Sequence, residues 1–194
     1  MNFLAHLYLS GDDDSVMVGN FIGDFVKGRN LSERYDTSIV RGIELHRSID
    51  AFTDSHSIVM QSKDKLREKY HHYSAVIVDM YYDHFLARNW STFHALSLKE
   101  YTLVAYSTIK KYEDILPDAV RHMLTYMSRD NWLLAYAKLE GIHRALSGMA
   151  RRTPFQSRME EAVVDLEKHY DVFEKEFLEF FPELKAHATG FLNS

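Results

Sequence analysis

The chain contains no cysteine, which excludes disulfides, thiolate metal ligands and a cysteine nucleophile. It has only three prolines and eight glycines. That is too little punctuation for a turn-rich β architecture, and the prolines sit where helices would start, so a mostly helical fold is expected. No apolar run approaches the roughly 20 residues of a membrane span, and the N-terminus lacks the basic start and cleavage region of a secretory signal. The expectation is a soluble, cytoplasmic protein with no membrane partner. Positive charge is also scarce: 23 Lys and Arg against 28 Asp and Glu give a formal net charge of -5. The molecule as a whole therefore lacks a footprint for nucleic acid. Neither a phosphate loop ending in Gly-Lys-Ser/Thr nor a Gly-x-Ser-x-Gly elbow occurs. Without repeats or low-complexity linkers, and with 46% hydrophobic residues, residues 1–194 are expected to form a single domain.

What the chain does have is helical periodicity. Asp14 or Ser15 is a candidate cap for a helix carrying Val16, Val18, Phe21, Ile22 and Phe25 to about Gly28. Asp36 is a candidate cap for the next, which should fray between Asp54 and Ser57. The run from Ala75 to Ala87 begins with β-branched residues, yet its length favours a buried helix. Ser97-x-x-Glu100 has the capping-box pattern, and Pro117 fits the first turn of a further helix. Asp130 or Asn131 restarts the chain. Ser157-x-x-Glu160 resembles a second capping box, opening a long helix that Pro182 should end. Met1 to Leu9 is compatible with a helix or an extended segment.

The stretch from Gly42 to His56 organises the chemistry. On a helix, His46, Asp50 and Asp54 form one stripe at i, i+4 and i+8, bordered by Ile43, Leu45, Ile49 and Phe52. Turning carboxylates toward a core costs several kcal/mol (about 2–7 even for a neutral polar group) unless they are paired, hydrogen-bonded or metal-bound. Asp24, His6 and the group Asp79, Asp83 and His84 lie in other apolar segments and could join them. Oxygen and imidazole donors without thiolate suit Mg, Mn, Fe or Zn in an open site, where bound water becomes a nucleophile and the cation offsets phosphoryl charge. The alternative is a set of capping acids, surface acids and satisfied core histidines. Arg47 is a candidate phosphate contact or a surface salt bridge. Arg151 and Arg152 are either a second phosphate contact or a dipole-complementing helix end. Lys27, Arg29, Arg34 and Arg41 form either an access patch for an acidic partner or a solvated face. Glu68-x-x-His71 and Glu140-x-x-His143 match half-motifs of di-iron bundles, but one lies in a charged stretch and the other flanks its apolar stripe.

Several stretches together resemble one known family, the acyl carrier protein phosphodiesterases. They are Met1-Asn-Phe-Leu-Ala-His-Leu, Gly19-Asn20 with Asp24-Phe25-Val26, and Gly42-Ile43 with His46-Arg47 and Ile49-Asp50. Thr53-Asp54, Asp83-His84-Phe85-Leu86, Ile115-Leu116-Pro117, Gly148-Met149-Ala150 and Phe180-Phe181-Pro182 follow in order. The resemblance implies an all-α, single-domain helical bundle related to the HD-type metal phosphohydrolases. It also implies an enzyme supported by Mn2+ or Mg2+ that removes 4'-phosphopantetheine from the serine of holo-acyl carrier protein. The adjacent His-Asp pair of a standard HD domain is missing, and Asp83-His84 stands in reversed order. The expected metal donors are His6, Asp24, His46, Asp50 and Asp83. Asp24 and Asp79 are expected in catalysis, with Arg47 on the phosphoryl oxygens, His84 as proton donor, and Arg151 and Arg152 as further phosphate contacts. Two rival expectations remain: a phosphohydrolase for a nucleotide or other small phosphoester, and a helical carrier-protein-binding module without turnover.

Overall fold

The apolar periodicities become twelve α-helices in a computed structural model that describes residues 1–28 and 30–194. In chain order they are α1 (Phe3–Tyr8), α2 (Asp14–Ile22), α3 (Thr37–Ser55), α4 (Ser57–Tyr70), α5 (Ser74–Arg88) and α6 (Trp90–Phe93). There follow α7 (Leu98–Lys110), α8 (Asp118–Arg129), α9 (Trp132–Ala135), α10 (Leu139–Arg152), α11 (Ala162–Lys168) and α12 (Tyr170–Asn193). The described residues contain no strand, so the fold is all-α. Among the described residues no helix is long and apolar enough to cross a membrane.

The β-branched opening of the Ala75–Ala87 run does not make a strand. Fifteen residues of α5 bury Ile77, Val78, Tyr81, Tyr82, Phe85 and Leu86 on several sides, as expected of a helix at the centre of a bundle. α12 lays Phe173, Phe177 and Phe180 against it, with Tyr82 and Phe177 packed edge to face at 5.7 Å.

Helix ends depart from the sequence expectations in identifiable ways. α2 is capped by Asp13, whose carboxylate accepts the amide N–H groups of Ser15 and Val16, rather than by Asp14 or Ser15. It stops at Ile22 and gives way to a 3-10 turn over Gly23–Phe25. The Ser97–Glu100 capping box forms, whereas the one expected at Ser157 does not. Arg158 there adopts a left-handed conformation at φ 57° and the chain breaks again at His169, so α11 and α12 replace one long helix. Pro182 lies inside α12 instead of ending it. The buried face of Phe177, Phe181, Leu184 and Ala188 outweighs the hydrogen bond that proline cannot donate.

One helix crossing positions the site. Gly19 of α2 and Gly42 of α3 let the two backbones touch: a Cβ on Gly19 would stand 2.1 Å from the Ile39 carbonyl oxygen, and one on Gly42 would stand 2.2 Å from that of Val16. Only glycine permits this approach. It brings Asn20, the residue next to Gly19, against His46, one turn after Gly42.

Candidate metal centre and adjoining cavity

His6 of α1 and His46 of α3 are buried and stack ring on ring, with centroids 4.0 Å apart and planes 17° from parallel. Asn20 holds both. Its Nδ2 donates to the His6 carbonyl (2.7 Å) and to Ser10 Oγ (3.0 Å), which makes Oδ1 the acceptor for His6 Nδ1 at 2.8 Å. Its own main-chain carbonyl accepts from His46 Nδ1 at 2.8 Å. Both acceptors are bare oxygens, so each ring carries a hydrogen on Nδ1 and turns Nε2 the other way. Both Nε2 atoms point at Asp50: His6 Nε2 lies 3.2 Å from Oδ1 and His46 Nε2 lies 3.1 Å from Oδ2. Asp24 Oδ1 stands 3.2 Å from the same His46 nitrogen. Gly23 makes room here, since a Cβ on it would fall 2.2 Å from His46 Cγ.

A lone pair aimed at a carboxylate is repulsive unless a proton or a cation lies between them. At His46 a proton serves there whenever a cation does not. Burial opposes the imidazolium, but the hydrogen bonds of Asp24 and Asp50 outweigh it and lift the group to about 9. Asp50 is held well below the usual carboxylate range: burial works upward and is overcome by His46 and His6. Asp24 is also lowered, mainly by its hydrogen bond to His46. His6 is pushed down by burial against the pull of Asp50, and its Nε2 is a buried nitrogen with no aligned hydrogen-bond partner. That orphaned atom, with donor atoms of His6, His46 and Asp50 all within 4.8 Å of one another, fits a divalent cation. The second ring nitrogen of each histidine is already tied to an oxygen, the arrangement that orients imidazole ligands.

The cluster opens into a cavity of about 950 Å3. Asp24, Asp50, Asp54 and Asp79 line it from the first half of the chain, and His122, Met123, Tyr126, Trp132, Met149 and Arg152 from α8 to α10.

The family profile described as acyl carrier protein phosphodiesterase matches residues 1–184. A protein of that name from Photorhabdus laumondii is 36% identical over 191 residues, covering 98% of this chain and 96% of the relative. One from Enterobacter sp. strain 638 is 35% identical and covers 98% of each, and one from Escherichia coli O6:H1 is 34% identical over 97% of this chain and 98% of its own length. No solved structure matches. The chain belongs to the acyl carrier protein phosphodiesterase family. It is accordingly a hydrolytic enzyme, as the resemblance in the sequence implied.

Of the residues expected to serve this phosphodiesterase family member, the structure brings His6, Asp24, His46 and Asp50 together. Asp83 is turned elsewhere. It is fully buried and its carboxylate accepts the amide N–H groups of Asn2 (3.3 Å), Leu4 (2.8 Å) and Ala5 (3.2 Å), so it anchors the first turn of α1. Burial pushes Asp83 up to about 7, against those amides. His84 points away from the cavity, because neighbours on a helix diverge by about 100°. Its Nδ1 donates to the Tyr136 carbonyl at 2.7 Å and its Nε2 accepts from the Tyr170 hydroxyl at 2.8 Å, in a separate pocket with Arg88 and Glu174. Asp79 lines the cavity and lies 3.0 Å from the Met1 amino group. The Arg47 guanidinium is spent on the carbonyls of Val26 and Gly28. Arg152 lines the cavity, whereas Arg151 lines another pocket beside Phe155. Arg41 binds the carbonyls of Phe191 and Leu192, so it does not join an access patch, and Arg29 lies outside the described residues. His56 caps α4 instead of entering the site. In the sequence Asn20 stood out only as part of the Gly19-Asn20 stretch of the resemblance, and of the lining from α8 to α10 only Arg152 was expected at the site.

Proposed function

We propose that this enzyme hydrolyses the phosphodiester between phosphopantetheine and the serine of holo-acyl carrier protein, with a divalent cation held by His6, His46 and Asp50 and flanked by Asp24. The observation that carries this reading is the pair of tautomer-fixed, buried imidazoles sharing one carboxylate, Asp50, which itself lines a cavity of about 950 Å3. The names of the relatives supply the substrate class. Imidazole donors favour Mn2+ over Mg2+, which prefers an all-oxygen shell. A bound cation would supply Lewis-acid charge to the phosphoryl oxygens and an acidified water. The chain itself does the rest. Asp24, whose side chain is 67% exposed and kept ionised by His46, is placed to orient the attacking water. Among the described residues Arg152 is the arginine that lines the cavity, and it is our assignment for the non-bridging oxygens, in place of Arg47. Water adds to phosphorus, the bond to the serine oxygen breaks, and the serine leaves as its hydroxyl with free phosphopantetheine as the other product. The imidazoles lining the cavity are those of His72 and His122, so the donor of the leaving proton is sought there and not at His84.

Mass spectrometry of holo-acyl carrier protein incubated with the enzyme and Mn2+ tests the reaction. The expected result is loss of the prosthetic group, with His46→Ala and Asp50→Asn at least a hundredfold slower and unchanged in helical content. An intact carrier protein, with either Mn2+ or Mg2+, beside rapid cleavage of a small phosphodiester would replace this reading with the small-substrate one.

A further inference from the structure

The cavity lining is divided by chemistry as well as by chain position. α3, α5 and the turn after α2 contribute four carboxylates, and α8 to α10 contribute mostly thioether and aromatic surface, with Asp130 and Arg152 as the charged groups on that side. Met123, Trp132 and Met149 are only partly buried and face the cavity, so their apolar surface stays wet unless a ligand covers it. The tyrosine rings nearby are already engaged. Tyr126 has the Arg129 guanidinium over its ring at 5.2 Å and stands perpendicular to His122 at 5.1 Å. Tyr73 has the His72 ring 3.9 Å from its own. A nucleobase would need such faces to stack on. What α8 to α10 leave free is two flexible thioethers and a single indole, a surface that adapts to an aliphatic chain.

We infer that Met123, Trp132 and Met149 form the subsite for the uncharged pantetheine arm of the substrate, leaving the carboxylate end of the cavity to the cation and the phosphate. This rests on the carrier-protein reaction proposed above. The arm is a neutral chain of two amides with a gem-dimethyl group, so it places no negative charge near Asp54 or Asp79. Its methyl and methylene groups cover the thioethers, and the indole N–H of Trp132 is available to an amide carbonyl. A volume of about 950 Å3 lies at the upper end of the roughly 300–1,000 Å3 range of small-molecule sites, enough for the arm together with the phosphate. The subsite recognises the arm and not the carrier protein, so it binds the arm when the protein and the phosphate are both absent.

Tryptophan fluorescence reads this directly. The chain has two tryptophans, and Trp90 is 3% exposed with its indole N–H given to the Leu96 carbonyl, so a ligand-dependent change reports Trp132. Free pantetheine titrated into the enzyme with chelator present should give a saturable change in emission, weakened about tenfold by Met123→Ala or Met149→Ala. On holo-acyl carrier protein the same variants should lose about tenfold in kcat/KM, mostly through KM. Trp132→Phe, which keeps an aromatic ring at that position, should remove the signal while retaining turnover above that of the alanine variants. The subsite assignment is overturned if pantetheine produces no saturable change while the wild-type enzyme still cleaves holo-acyl carrier protein, or if adenosine monophosphate titrates Trp132 and pantetheine does not. Wild-type failure on holo-acyl carrier protein would count against the reaction alone, because the pantetheine titration is read independently of turnover.

Discussion

At Asn20 one side chain and one carbonyl fix two imidazoles, and the two can be separated experimentally. In Asn20→Ala the main-chain acceptor of His46 survives and the side-chain acceptor of His6 is lost. Nitrogen NMR should therefore show His6 losing its Nδ1–H tautomer while His46 keeps its own, and Mn2+ affinity should fall by about 10–100-fold. Unchanged His6 nitrogen shifts would remove the positioning role from Asn20. Asp83 makes a second prediction. Its folded value of about 7 lies above the unfolded 3.8, so the folded state binds the extra proton. Its contribution is full below about pH 4 and is lost as pH rises through 7, by roughly 4 kcal/mol at most. In urea titrations Asp83→Asn should flatten that part of the stability curve relative to wild type, and an identical slope in both proteins would contradict it. These residues also mark the limits of sequence reading. His46 and Asp50 share one helix at i, i+4, so their proximity is local and legible. Asp83 satisfies amides 78 to 81 residues away, and Asn20 acts partly through its carbonyl, which no residue type announces.

Between elements, the crossing of α2 and α3 is the contact on which the cluster depends. A methyl group on Gly42 would meet the Val16 carbonyl at 2.2 Å and the Gly19 Cα at 2.8 Å. Backbone cannot rotate away as a side chain can, so the helices must separate. Gly42→Ala should cost about 1–3 kcal/mol or more and abolish Mn2+ binding by drawing Asn20 away from His46. Gly148, inside α10 with nothing beyond its own stretch of helix within 4 Å of where a Cβ would stand, is the matched control. Gly148→Ala should be neutral or stabilise by about 0.5–1 kcal/mol with binding intact. Calorimetric unfolding and a Mn2+ titration of both variants check the pair. Helices themselves were readable from periodicity, including the buried α5. Their ends were less so, because Pro182 and Ser157 carry local signals that burial of α12 and the turn at Arg158 override.

For the molecule as a whole, the candidate metal centre ties an early short helix to the centre of the bundle. α1 is six residues long, too short to persist alone, and rests on Asp83, on the Asn2 cap and on Asn20. It nevertheless supplies His6, while α3 supplies His46 and Asp50. A cation shared by the two helices, as proposed, would have to leave before α1 could open, so it should suppress that opening. With Mn2+ at about a hundred times its dissociation constant, the linkage amounts to about 2.7 kcal/mol, or close to a hundredfold slower amide exchange. Hydrogen exchange read by mass spectrometry should show this protection in α1 and around Asn20 to Asp24. α8 and α10 contribute no donor to the cluster and should exchange at the same rate with and without Mn2+. In His46→Ala the protection of α1 should disappear. Equal protection of every helix, or protection that persists without His46, would place the cation elsewhere in the molecule.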